Sequence, residues 1–124
     1  MHMNFRNPYW DYKTKMQLLE RWILIHSIIY YELDSNVVSD EMFDKNCVQL
    51  VKLIKSFPKE FEKTKYHKVF KSFDGSTGFD LYSKLSREDQ KYLRTNAEQV
   101  ISLGGKKPFR GRAHYINRKK SIYK

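Results

Sequence analysis

The sequence predicts an all-α fold: a small helical bundle of about four helices, with a helix-hairpin site and a basic C-terminal tail. Three observations carry this. Apolar residues recur at helical spacing through residues 18 to 33. Ser39 and Ser86 each stand just before acidic residues and an apolar-periodic run, the pattern of a capped helix start. No segment alternates as a half-buried strand must, although Val69 to Phe73 could pair locally.

The first helix is expected from about Asp11 to Leu33. Leu19, Ile23, His26, Tyr30 and Leu33 follow one stripe, and Leu18, Trp22, Ile25 and Ile29 form a second beside it. A helix that is apolar over so wide an arc is covered from several sides, so this element is the expected centre of the bundle. The second helix is expected from Asp40 to Ser56. Its end is set by Pro58, because the residue before a proline avoids helical geometry. Pro58 opens a third, shorter helix with a weaker period through Phe61, Tyr66 and Phe70. Residues 72 to 80 read as a loop, with Asp74-Gly75 and Thr77-Gly78 as turn signals. Ser86 caps a fourth helix running to about Ser102, with Tyr92, Leu93, Ala97, Val100 and Ile101 inward. Gly104 and Gly105 end it.

Size and charge narrow the function. The 124 residues suit one domain, and 40% hydrophobic with 15% aromatic content argues for a packed globule. No apolar run approaches the ~20 residues of a membrane span, so no membrane partner is expected. The first residues carry no signal-peptide core, and the single Cys47 fits a reducing cytoplasm. Cys47 falls in line with Phe43, Leu50 and Ile54 and reads as a buried thiol. The net charge of +10 is concentrated: residues 104 to 124 hold eight basic residues and no acid, leaving sixteen basic against fourteen acidic in residues 1 to 103. The expected organisation is a helical domain over 1–103 and a basic aromatic tail over 104–124.

Residues 28 to 44, IIYYELDSNVVSDEMFD, describe a helix that ends in a polar turn at Asp34, Ser35 and Asn36, then a second helix restarted by Ser39. Asp40 and Asp44 stand four apart and so share one face at the mouth of the hairpin. Tyr30 and Tyr31 end the preceding helix and can face them. Two carboxylates and two phenols at one corner fit a small-ligand site. Acids at a helix start are also ordinary capping, and a tyrosine at a helix end is ordinary packing. His26, one turn before Tyr30, reads as a core histidine placed beneath the same corner.

This stretch resembles the N-terminal helical domain of bacterial NAD-dependent DNA ligases. That family shows Tyr-His, an Asp-rich turn, and Asp-x-x-Tyr-Asp opening the next helix. Tyr30, Asp40 and Asp44 match family positions, while Tyr31 stands in place of the family His and Phe43 in place of the family Tyr. The resemblance covers residues 18 to 58. It implies that NAD or nicotinamide mononucleotide is the ligand, held by Tyr30, Asp40 and Asp44, with Tyr31, Phe43 and His26 behind them. The flat ring would stack on Tyr30 and the ribose hydroxyls would donate to Asp40 and Asp44. A second phrase, FDGSTGFDL at residues 73 to 81, is similar to one in small phage proteins described as ligase-related.

No catalytic residue is expected. A ligase needs a nucleotidyltransferase fold several times this length, and Lys71-Ser72-Phe73-Asp74-Gly75 is one residue too long for the Lys-x-Asp-Gly that ligases adenylate. The glycines of this run could instead hold a phosphate on backbone N–H groups, or simply turn the chain so that Phe73 and Phe79 dock on the bundle. Nothing in the spacing of His, Cys, Asp and Glu suggests a metal.

The tail offers a different function. Lys106, Lys107, Arg110, Arg112, Arg118, Lys119 and Lys120, with Lys124, are interleaved with Phe109, Tyr115 and Tyr123. Cations that follow phosphates and aromatics that stack bases make a DNA- or RNA-binding arm of low sequence specificity. A solvated extension has the same charge. The sequence thus carries a leading reading and two competing ones. The leading reading is a non-enzymatic, phage-type, ligase-related domain binding a nicotinamide-type nucleotide, as ligase accessory or counter-defence sequestering protein. The others are a nucleic-acid-binding protein acting through its tail, and an inhibitor docking on a host protein.

Overall fold

The computed structural model describes residues 10–75 and 78–103. All regular structure in them is helical: α1 (Tyr12–Ser27), a π-helical turn (Ile28–Glu32), α2 (Asp40–Ser56), α3 (Pro58–Glu62), α4 (His67–Phe70), a 3₁₀ turn (Tyr82–Lys84) and α5 (Arg87–Leu103). Among the described residues there is no strand, so Val69 to Phe73 lies in α4 and the turn after it. No helix of the described residues is long and apolar enough to cross a membrane. The basic residues from Lys106 onward lie outside the described residues, as do Gly104 and Gly105.

α1 is the hub. Asp11 caps it by accepting from the Thr14 N–H at 2.7 Å, and it packs against α2, α3 and α5. Met16, Leu19, Ile23, Leu24 and Ile28 have no exposed surface. Tyr12 stacks on Phe57 at 3.7 Å, which pins the start of α1 to the junction of α2 and α3. The helix then widens: the Leu33 N–H donates to the Ile28 carbonyl at 2.9 Å, five residues back, and Asp34 turns the chain with φ 56. Aspartate tolerates that left-handed conformation better than most side chains.

The second and fourth sequence-predicted helices are present with ends within a residue of expectation. Ser39 accepts from the Met42 N–H at 3.1 Å and Ser86 from the Asp89 N–H at 3.1 Å. Both hydroxyls satisfy N–H groups that a helix start leaves open. The third helix differs, because it breaks into α3 and α4. At the break, Thr64 donates its hydroxyl both to the Phe61 carbonyl and to Glu20, each at 2.8 Å, and Gln17 accepts from the Lys65 N–H at 3.0 Å. These bonds to α1 hold Lys63 to Tyr66 as a turn rather than a helix.

Residues 72 to 80 form the expected loop, but one that is pressed onto the bundle. Gly75 has φ +86, and a Cβ there would come within 3.1 Å of Val51. Gly78 approaches α1 so closely that a Cβ would run into the Ser27 hydroxyl, with Phe43 3.2 Å away. Only a residue without a side chain fits at either position.

Candidate functional site

The hairpin has the shape its sequence predicts, but the candidate residues divide between its inside and its outside. Tyr30 and Tyr31 are 8% and 7% exposed and meet edge to face at 4.8 Å. Phe79 packs edge-on against Tyr31 at 5.8 Å. A ligand stacking on either ring would first need its cover displaced. Asp40 and Asp44 are exposed on the first turns of α2. Phe43, between them, is half-buried and lies offset over Trp22 at 6.1 Å. The run that carries Gly75 and Gly78 supplies this cover, and its residues 76 and 77 lie outside the described residues, as does any phosphate nest that would include them.

Trp22 continues the aromatic ladder to His26, whose ring is 4.3 Å away. His26 is 8% exposed and its Nδ1 is buried without a hydrogen-bond partner. Burial pushes its imidazole down to about 4, so the ring is neutral at pH 7. Both rings help to wall a cleft of about 510 Å³. Leu18, Arg21, Trp22, Ile25 and His26 of α1 form one wall. Val37, Val38, Ser39 and Met42 of the hairpin turn close one end, and Asn96, Gln99, Val100 and Leu103 of α5 form the opposite wall. Of the six residues that the sequence singles out at the hairpin, His26 alone is part of this lining. Volumes of a few hundred to a thousand Å³, mostly apolar with a few polar groups, are typical of small-ligand sites.

The polar groups of the cleft come from positions with no motif. Arg21 first, and then Asn96, draw the phenol of Tyr92 below its ordinary value, and the charge of Lys65 adds to the effect. Asn96 and Gln99 stand three apart on α5 and so share a face. Nothing in a single sequence links α5 to the hairpin. The only available signal was composition, since α5 carries polar amides beside its inward Val100.

Two further buried groups complete the chemistry. Glu20 has no exposed surface and accepts from the Thr64 hydroxyl at 2.8 Å. Burial pushes its carboxyl up to about 7, against the bonds from Thr64 and the Tyr66 backbone. Cys47 is fully buried, and its thiol is pushed up to about 12 by burial and by the Asp44 carboxylate. A thiol so placed is no nucleophile at neutral pH. Among the described residues, no group of three or more His, Cys, Asp or Glu is placed to hold a metal ion.

No protein-family model, no curated protein and no solved structure matches this chain.

Proposed function

We propose that this domain is a non-catalytic binding module for a nicotinamide-type nucleotide, seated where the hairpin turn opens onto the cleft between α1 and α5. The observation that carries the reading is the cleft of about 510 Å³ that the hairpin residues Val37 to Ser39 and Met42 share with Trp22 and His26. A flat, uncharged carboxamide-bearing ring suits this lining. Trp22 offers an aromatic face, while the neutral His26, Asn96 and Gln99 offer partners for an amide. Asp40, next in the chain to the lining residue Ser39, is exposed at the rim, where a ribose hydroxyl could donate to it. Tyr30, Tyr31 and Phe43 then act from behind, as the packed support of the turn. The resemblance to NAD-dependent ligases points to the same ligand class and to a role as ligase accessory or sequestering protein.

Calorimetry of the full chain against NAD, nicotinamide mononucleotide and ADP-ribose tests this. The expected result is saturable binding of at least one nicotinamide compound, weakened by about 1–3 kcal/mol in Asp40→Ala or Asp44→Ala, the usual cost of a lost hydrogen bond to a charged group. Absence of heat with all three at millimolar concentration would end the proposal.

The charge imbalance supports a second reading. Eight basic residues and no acid over 104–124 suit a nucleic-acid arm, independent of the cleft.

A further inference from the structure

One edge of the cleft is charged in a way the rest is not. Arg21, in the cleft wall, acts on the phenol of Tyr92, a residue that is 54% exposed. Lys65 reaches the same tyrosine, with its ammonium 5.8 Å from the centre of the Tyr92 ring and 5.4 Å from that of Tyr66. Lys65 is not placed there by chance of rotamer alone. Its backbone N–H donates to Gln17, one turn before Arg21 on α1, and the preceding Thr64 donates to Glu20. The turn between α3 and α4 is therefore tied twice to the stretch of α1 that carries Arg21.

Two cations are thus held around one tyrosine, and neither forms an ion pair among the described residues. The charge of Asp89 also acts on Tyr66, but Asp89 bridges neither cation. Unneutralised cations held close together repel each other, and an anion between them removes that repulsion. Arginine presents a planar fork that fits phosphate oxygens, and lysine a compact point charge.

We infer that Arg21 and Lys65, at the Tyr92 edge of the cleft, form an anion subsite that holds the phosphate of a mononucleotide whose ring enters the cleft beside Trp22 and His26. The inference rests on the proposed function for the ring, but the anion subsite can be tested separately. It places the polar end of the ligand at the α5 side and directs the ring towards the hairpin.

The experiment compares nicotinamide mononucleotide with nicotinamide riboside, which lacks the phosphate, on the full chain and on an Arg21→Gln/Lys65→Gln variant. AMP, inorganic phosphate and a short single-stranded DNA are further probes. Phosphorus NMR linewidths and calorimetry are the readouts. Thermal melts check folding, and Lys65→Gln alone, at an exposed side chain, serves if the double variant fails to fold. The mononucleotide should bind about tenfold or more tighter than the riboside, as expected for a charged hydrogen-bonded contact, and the gap should collapse in the variants.

Equal binding of the two compounds overturns the anion subsite and leaves the nicotinamide reading standing. Binding of AMP or phosphate that the variants lose, with neither nicotinamide compound bound, supports the subsite and overturns that reading. No binding of any phosphorylated mononucleotide or phosphate at millimolar concentration overturns the subsite. Loss of DNA binding in the variants, without mononucleotide binding, overturns it in favour of a nucleic-acid contact.

Discussion

Gly78 and Cys47 give the sharpest tests at the scale of single residues. In Gly78→Ala the new methyl meets the Ser27 hydroxyl and Phe43, both on packed elements. The segment has to lift from α1, and the expected loss is about 1–3 kcal/mol, as for other overpacking changes, read as a lower urea midpoint. An unchanged midpoint would mean that the segment does not press on α1. Cys47, with its thiol pushed up to about 12, should resist iodoacetamide at neutral pH in the folded protein and react once urea unfolds it. Rapid labelling of the native chain would show that α2 opens locally. At this scale the sequence was legible where chemistry is local to one stripe. Cys47 was placed inward by its spacing from Leu50 and Ile54, and His26 was placed on the apolar face. Glu20 was not legible. It lies on neither apolar stripe of the first helix, yet is buried, as are Met16 one turn before it and Ser27 two turns after it. A carboxylate there reads as a solvated charge until its partner, forty-four residues away, is known.

Elements were legible where their ends are written in neighbouring residues. The caps at Ser39 and Ser86, and the stop before Pro58, are chemistry within a turn of the chain, and the corresponding helices appear as expected. The break between α3 and α4 was not, because the bonds that hold it come from α1. Thr64→Val tests this origin: the side chain keeps its branched shape but loses both hydroxyl bonds. A destabilisation of about 1–3 kcal/mol is expected, since Glu20 loses its buried donor. A neutral result in urea titration would mean that the turn is set by its own backbone. The candidate corner was legible only in part, for a related reason. Spacing placed Tyr30, Tyr31, Asp40 and Asp44 around one hairpin, and the hairpin exists, but spacing does not say which side of a turn the rest of the chain covers. The 78–79 segment covers the tyrosine side, and α5 leaves the Trp22–His26 side open as a cleft.

For the whole molecule, charge divides into a nearly neutral 1–103 and a strongly basic 104–124, which lies outside the described residues. If all eight of its cations met duplex phosphates, log K would fall against log salt with a slope of about −7, and a slope of roughly −4 to −6 is expected as some miss. A gel-shift series at two salt concentrations decides the matter: equal binding by the full chain and a 1–103 truncation would remove the tail from any such role. Titration of the molecule has a second consequence, which follows from Glu20 and His26 lying in the interior of one helix. The raised Glu20 contributes stability that is present below its ordinary 4.5 and lost as pH climbs to about 7. The lowered His26 contributes stability that is present above its ordinary 6.5 and lost as pH falls to about 4. Each effect amounts to roughly 3 kcal/mol at 1.36 kcal/mol per pH unit. Between these ordinary values the unfolded chain carries one proton on the imidazole, and the folded chain carries one on the carboxyl. Folding therefore relocates a proton without taking one up or releasing one, and the two slopes cancel. Glu20→Gln should expose the histidine slope, with stability rising from pH 4 to 6.5 relative to the parent. His26→Leu should expose the opposite one, falling from pH 4.5 to 7. Parallel urea midpoints for all three proteins across that range would rule the cancellation out. If it holds, acidification of the surroundings by two pH units would leave the balance between folded and unfolded chains untouched by either of these groups, because each hides the other's response.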